Sequence, residues 1–291
     1  MRQIFSLIGA AASAWVEDNA LRLSAALAYY SIFSLAPLLI IIISVAGLIF
    51  GEAAARGRIA DQMRELAGQK AAEAIQALVA GTSHKSTSLS ATILGLAVLL
   101  FGASGAFGEL KSALNTIWGV QIKPGRAMFT MMRERFISFT MVLVVGFLLV
   151  VSLLVSAALA AFDDSLQKLM ALPSIVWQGA DIVVSVVVMT MLFAMIFKVL
   201  PNVILRWRDV WTGAACTAVL FTIGKFLIGV YLGTSGVTSY YGAAGSAIVL
   251  LLWVYYSACI LFFGAELTKV YVRKYGAGIV PDSRAIVKNR T

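Results

Sequence analysis

The residues able to do chemistry in this chain are few, and most of them sit where charge is costly. The single histidine, His84, lies in the loop segment GTSHKSTS, so arithmetic alone excludes a two-histidine metalloprotease, a multi-histidine metal nuclease and a helical HExxH site. No Ser, His and Asp constellation can be built around it, and a solvated loop histidine is the reading it takes. Cys216 and Cys259 both fall inside apolar runs, where a small hydrophobe is the ordinary role and neither a disulfide framework nor a zinc site is indicated. The sequence contains no GxxxxGK[ST] phosphate loop, so a nucleotide-driven pump acting alone is excluded. No catalytic site, metal or cofactor is expected.

What remains is a small set of intramembrane and rim charges. Lys225, in FTIGKFLIGVY, is the only lysine or arginine deep within an apolar run, where an ammonium costs a few kcal/mol on the lenient insertion scale and must face a carboxylate or water. Asp181, near the outer start of another apolar segment, lies at a depth where the two could pair. A pair that only braces two helices and a pair that lines a polar path are equally compatible with the sequence. Glu109 and Glu266 are placed at inner helix ends, amid Lys111, Lys269 and the cations of the 123–135 loop. Surface ion pairing is one reading of them. The other is a basic rim that gathers an anionic headgroup while the carboxylates gate it or exchange protons.

The elements that hold these groups follow from composition. Of 291 residues, 60% are hydrophobic and only 13% charged, against the quarter-charged composition of a soluble domain. Charge-free runs long enough to cross a hydrocarbon core about 30 Å thick recur along the chain. The first runs from Leu23 to Gly51 and contains Pro37, a kink candidate because its ring removes a backbone donor. The second lies between Lys85 and Glu109, the third from Phe136 to Phe162, and the fourth from near Pro173 to near Pro201. The fifth runs from near Trp211 to Tyr231 and the sixth from about Tyr240 to Lys269, separated by GTSGVTSYYG. The fold class is therefore all-α, a polytopic bundle of about six transmembrane helices with amphipathic interfacial helices.

Two segments supply the amphipathic part. The opening IFSLIGAAASAWVEDN places Ile4, Leu7, Ile8, Ala11 and Trp15 at helical spacing, which reads as an interfacial helix rather than a cleaved leader. Residues 52–87 form an outer insertion in which Ile59, Met63, Leu66, Ile75, Leu78 and Val79 mark a helix pair broken near Gly68. Residues 1–275 make one membrane-embedded domain, and 276–291 a polar, frayed cytoplasmic tail. The Gly-rich pieces FGASGAFGEL and YYGAAGSA fit close helix packing.

Sixteen lysines and arginines fall on the side shared with the amino terminus and six opposite, which puts both termini in the cytoplasm. The net charge of +9 then reflects loops facing anionic lipid, and no basic stripe with interleaved aromatics calls for nucleic acid.

Three segments, SAALAYYSIFSLAPLLIIIISVAGLIFG (Ser24 to Gly51), GASGAFGELKSALNTIWGV (Gly102 to Val120) and YYGAAGSAIVLLLWVYYSACILFFGAELTKVY (Tyr240 to Tyr271), resemble the YihY/BrkB family of bacterial inner-membrane proteins over nearly the whole chain. The resemblance implies a six-helix inner-membrane protein with cytoplasmic termini, a family linked to serum resistance and, in one relative, to export of lipid A precursors. An older ribonuclease BN label finds no support in a chain with one loop histidine and no metal-ligand cluster. The family supplies no agreed catalytic residues to carry over. The leading expectation is a transporter or flippase-like exporter of an anionic, lipid-like substrate, with membrane lipids as its partners. The alternative is a non-transporting scaffold in envelope assembly. The sequence favours neither a monomer nor a homo-oligomer.

Overall fold

The computed structural model describes residues 2–33, 51, 57, 61, 64, 69, 72–76, 105–123, 174–234, 245–276 and 278–287. Among them, helix dominates, as composition requires. Helix α1 is Arg2–Glu17 and α2 is Ala20–Phe33. Helix α3 covers 105–118. Three long helices follow, α4 Ser174–Val199, α5 Trp207–Thr234 and α6 Gly245–Tyr275. Pro37, His84 and the expected second and third crossings lie wholly or mostly outside the described residues.

Among the described residues, two stretches, Trp207–Leu232 and Ala247–Tyr275, are long and apolar enough to cross a membrane. At 1.5 Å per residue they span about 39 and 44 Å. The bundle buries only one stripe of each. On α4 and α5 the other faces expose Val183, Val187, Met191, Ile223, Phe226, Leu227 and Val230, an apolar surface that water does not tolerate at this extent and hydrocarbon does.

The buried side of α5 explains why three helices cohere. Val210, Ala214, Ala218 and Phe221 recur at spacings of four, four and three and are all buried. Phe221 meets Phe193 of α4 with centroids 5.6 Å apart and Trp253 of α6 at 6.5 Å. One quarter-turn round, α5 and α6 approach so closely that a Cβ on Gly213 would lie 1.8 Å from Thr268 Oγ1, and one on Gly264 would lie 1.9 Å from Thr217 Oγ1. Each threonine hydroxyl donates to a glycine carbonyl of its own helix, Thr217 to Gly213 and Thr268 to Gly264, both at 2.7 Å. Small residues let the backbones meet, and the hydroxyls stay satisfied without water.

All three long helices and α3 bring one end to a common base. There β1 (Val120–Ile122) pairs antiparallel with β4 (Ala285–Val287), and β2 (Val203–Ile204) with β3 (Val280–Pro281). Gly119, at φ 67°, ends α3 in the left-handed conformation that glycine adopts without penalty. The Asn115 amide donates to Asn202 Oδ1 at 3.0 Å and accepts the Asn202 backbone N–H at 2.8 Å. The Asn202 carbonyl in turn accepts from the Asp282 N–H.

Four expectations change. The tail is stitched rather than frayed over 278–287, because its backbone groups find strand partners at the base and Lys123 Nζ donates to the Ser283 carbonyl at 2.8 Å. Helix α3 runs nine residues beyond Glu109, since Ala106, Leu110, Ala113, Leu114, Ile117 and Trp118 keep one apolar face through it. Helix α6 continues to Tyr275 rather than stopping near Lys269. Helix α1 splits the expected stripe: Ala11 and Trp15 pack against the bundle, while Ile8 turns outward with Phe5 and Val16. Of the outer insertion, 72–76 are helical with Ala72, Ala74 and Ile75 buried.

Candidate functional site

Between α1 and α2 the chain breaks at Asp18 and Asn19. Asn19 takes φ 53°, a left-handed conformation that asparagine adopts more readily than most side chains. The break turns Asp18 toward α6, where Lys269 Nζ donates to Asp18 Oδ2 at 2.8 Å and to Glu266 Oε2 at 2.9 Å. The Lys269 side chain is 2% exposed, Glu266 0% and Asp18 11%. Lys269 and Glu266, three residues apart on α6, are thus a buried pair, and Asp18 joins them across 251 positions of sequence. Glu266 Oε1 is buried and has no hydrogen-bond partner among the described residues.

Beneath this cluster opens a cavity of about 340 Å³, lined by Asp18, Lys269, Arg273, Thr116, Trp118 and Gly119, with Ile279 and Val287 from the stitched tail as its apolar wall. Its donors outnumber its acceptors. An ammonium carries three N–H groups, and Lys269 uses two. Arg273, one turn further along α6, is exposed and makes no ion pair among the described residues. The Trp118 indole N–H is buried and unpartnered among them. Asp18 and Glu266 together offset Lys269 and Arg273, and the exposed Arg273 with the remaining Lys269 N–H is the part of the lining that an anion can meet.

The residues singled out from sequence are dispersed. Glu266 lies at the cluster and is buried, which removes the surface reading for it: desolvation drives it to share Lys269 rather than water. Glu109 and Lys111 are half-buried on α3, well above the cavity, because α3 continues past them. Lys225 is half-buried and extends the Val210, Ala214, Ala218, Phe221 stripe by one turn. It stands 18 residues from the base end of α5, and Asp181 stands 18 residues from the base end of the neighbouring antiparallel α4. Their backbones are therefore at one level, about 27 Å above the base. Asp18, Arg273 and Trp118 were missed. For Asp18 the available signal was the acidic, helix-breaking triplet Glu17, Asp18, Asn19 between two apolar helical stretches. Cys216 is exposed on α5 and Cys259 half-buried on α6, both free thiols.

Long apolar helices with outward-facing hydrophobic surfaces, closed at one end by a polar base, define a helical integral membrane protein. Residues 11–286 match the family described as Virulence factor BrkB, and the chain belongs to that family. It is 27% identical over 257 residues to a UPF0761 membrane protein of Stenotrophomonas maltophilia, covering 87% of this chain and 58% of the relative. It is 28% identical over 260 residues to a UPF0761 membrane protein of Pseudomonas aeruginosa, covering 87% and 59%. The chain thus spans a little under three-fifths of the length of these curated relatives. No solved structure matches it.

Proposed function

We propose that this protein is a six-pass inner-membrane carrier, a flippase-like exporter of an anionic, lipid-like substrate, with the base and both ends of this sequence facing the cytoplasm. The observation that carries the reading is the cavity at the base, roofed by buried Lys269 and flanked by Arg273, which makes no ion pair among the described residues. A purely architectural helix end has no use for a desolvated ammonium beside an open space, since apolar residues of equal volume hold helices together as well or better. The cation asymmetry supports the orientation: at the base stand Lys123, Lys198, Arg206, Arg208, Arg273 and Lys274.

In this reading the headgroup docks at Lys269 and Arg273, and Lys225 with Asp181 forms a second polar station nearer the outer ends of α4 and α5. Helix α6, long enough to connect the two levels, is the rail between them. Reporter fusions within 120–130 and after 291 are expected to read cytoplasmic, and fusions within 60–80 external.

The test is transport. Full-length protein reconstituted in vesicles should move a fluorescent-tailed phosphatidylglycerol between leaflets, read by quenching of the outer-leaflet probe. Lys225→Met should abolish that movement while the protein still inserts and folds, and Lys225→Arg should keep part of it. Wild-type vesicles indistinguishable from empty ones would overturn the carrier reading in favour of a scaffold. Unchanged movement in folded Lys225→Met protein would remove Lys225 from the path.

A further inference from the structure

The buried cluster holds two carboxylates and one ammonium, so it carries one negative charge too many for its surroundings. Among the described residues, no second buried cation supplies the balance. The charged groups acting on Glu266 are Lys269 from its own helix and Asp18 from the α1–α2 turn. Where α5 packs against this part of α6 it presents Gly213 and Thr217. Helix α3 presents Thr116 and Trp118 to the cavity, and the tail presents Ile279 and Val287. None of these can ionise in the physiological range. Arg273 lies a turn beyond Lys269, at the cavity and exposed, where water screens it.

Glu266 is also the member with an oxygen to spare. Its Oε2 takes the Lys269 bond and its Oε1 takes none among the described residues. An unpartnered, fully buried carboxylate oxygen is among the costliest polar states in a protein, and the neutral acid is far less so. Asp18 differs: it stands at the cavity wall and keeps contact with solvent.

We propose that Glu266, Lys269 and Asp18 form a proton-binding site in which Glu266 takes up and gives back one proton, and that this proton decides whether Lys269 is available to an anion in the cavity. The step balances simply. A proton from the cavity joins a Glu266 carboxylate oxygen to give the neutral acid, and the cluster goes from one net negative charge to none. The Glu266 hold on Lys269 weakens, and the ammonium can turn its free donor to an anion beside Arg273. Loss of the proton restores the carboxylate, which competes with the anion for Lys269. Proton and anion therefore bind and leave together, and by linkage each raises the affinity of the other by the same factor. The direction of net movement follows from the two gradients jointly. The proton site stands on the cluster alone; the coupling rests on reading the cavity as an anion site.

The experiment has two arms, both on full-length protein in nanodiscs of zwitterionic lipid. In the first, infrared difference spectra across pH follow the carbonyl stretch of a protonated carboxyl. A pH-dependent band should appear in wild type, persist in Asp18→Asn, shift in Glu266→Asp and vanish in Glu266→Gln. Absence of any band sensitive to both Glu266 substitutions overturns the proton site. The second arm titrates dihexanoyl phosphatidylglycerol, whose phosphodiester charge is constant around neutral pH, and dimethyl phosphate, the same charge without acyl chains. Wild-type affinity should rise by up to about tenfold per unit fall in pH, the limit for one linked proton, and Glu266→Gln should bind with a flat profile. Binding by the lipid alone identifies a headgroup site, and binding by both identifies a site for the phosphodiester itself. A flat wild-type profile overturns the coupling. A Glu266-dependent infrared band without binding of either probe upholds the proton site and overturns the anion reading of the cavity.

Discussion

The α5–α6 seam and the base of the same two helices are built on opposite terms. At the seam, Gly213 faces Thr268 and Gly264 faces Thr217 in a reciprocal fit. Both hydroxyls are satisfied within their own helices, no charge is present, and no space is left. A single turn away, Lys269 is buried between two carboxylates, one oxygen lacks a partner among the described residues and a cavity opens alongside. The seam minimises polar cost where lipid offers no water. The base accepts that cost beside an opening. The contrast assigns rigidity to one level of α6 and chemistry to the other, and substitutions can test the division.

The largest effect should come from Lys269→Met, which removes the one cation from a cluster of two carboxylates. Breaking a buried pair from one side costs about 3–5 kcal/mol, so the variant should lose most of its folded yield and thermal stability in detergent. The triple replacement with Asp18→Asn and Glu266→Gln should restore both, and failure to restore them would mean that Lys269 acts by packing rather than by charge. Next comes Gly264→Ala. Its new methyl must displace the Thr217 side chain, and overpacking of this kind costs roughly 1–3 kcal/mol. Thr217→Gly in the same chain should recover part of the loss. A Gly264→Ala protein as stable as wild type would show that the seam is looser than its geometry.

How these two regions read in the sequence differs for the same reason. Helices α4, α5 and α6 were legible to within a few residues, because apolar runs and the GTSGVTSYYG turn are local signals. Their ends were set too early where a charge was taken as a boundary. Glu109 and Lys111 lie inside α3 and Lys269 inside α6, and only the apolar period continuing beyond them reveals it. Glu266 was legible as a carboxylate at the base, but its partner Asp18 was not, since the contact closes across 251 positions and leaves no periodic trace. The tail strands were invisible for a like cause: Val287 pairs with Val120, and Val280 with Ile204, so each strand exists only through a distant partner.

A smaller effect tests how the base is held. Asn115→Ala leaves the buried Asn202 side chain and backbone N–H without their partner, at roughly 1–2 kcal/mol. The expected outcome is a modest fall in thermal stability together with faster proteolysis of the tail after Gly276, because Asn202 also anchors the Asp282 N–H. Unaltered proteolysis would mean that strand pairing alone secures the tail.

The smallest effect on stability, and the sharpest on function, is expected at Arg273. Its side chain is exposed and makes no ion pair among the described residues, so Arg273→Gln removes no buried interaction and should change thermal stability by less than about 0.5 kcal/mol. If the cavity holds an anion, the same change deletes a planar, five-donor partner. It should weaken dihexanoyl phosphatidylglycerol binding, and Arg273→Lys should recover only part of it, since an ammonium replaces the charge but not the fork. Lys274→Gln is the control. Lys274 neighbours Arg273 on α6 but leans on the Tyr275 ring at 5.4 Å and does not line the cavity, so its loss should leave binding unchanged. Equal losses in the two variants would reduce the effect to general surface charge and separate the cavity from any specific role. A loss confined to Arg273→Gln, in protein as stable as wild type, would place function at the base of α6 and structure at its seam.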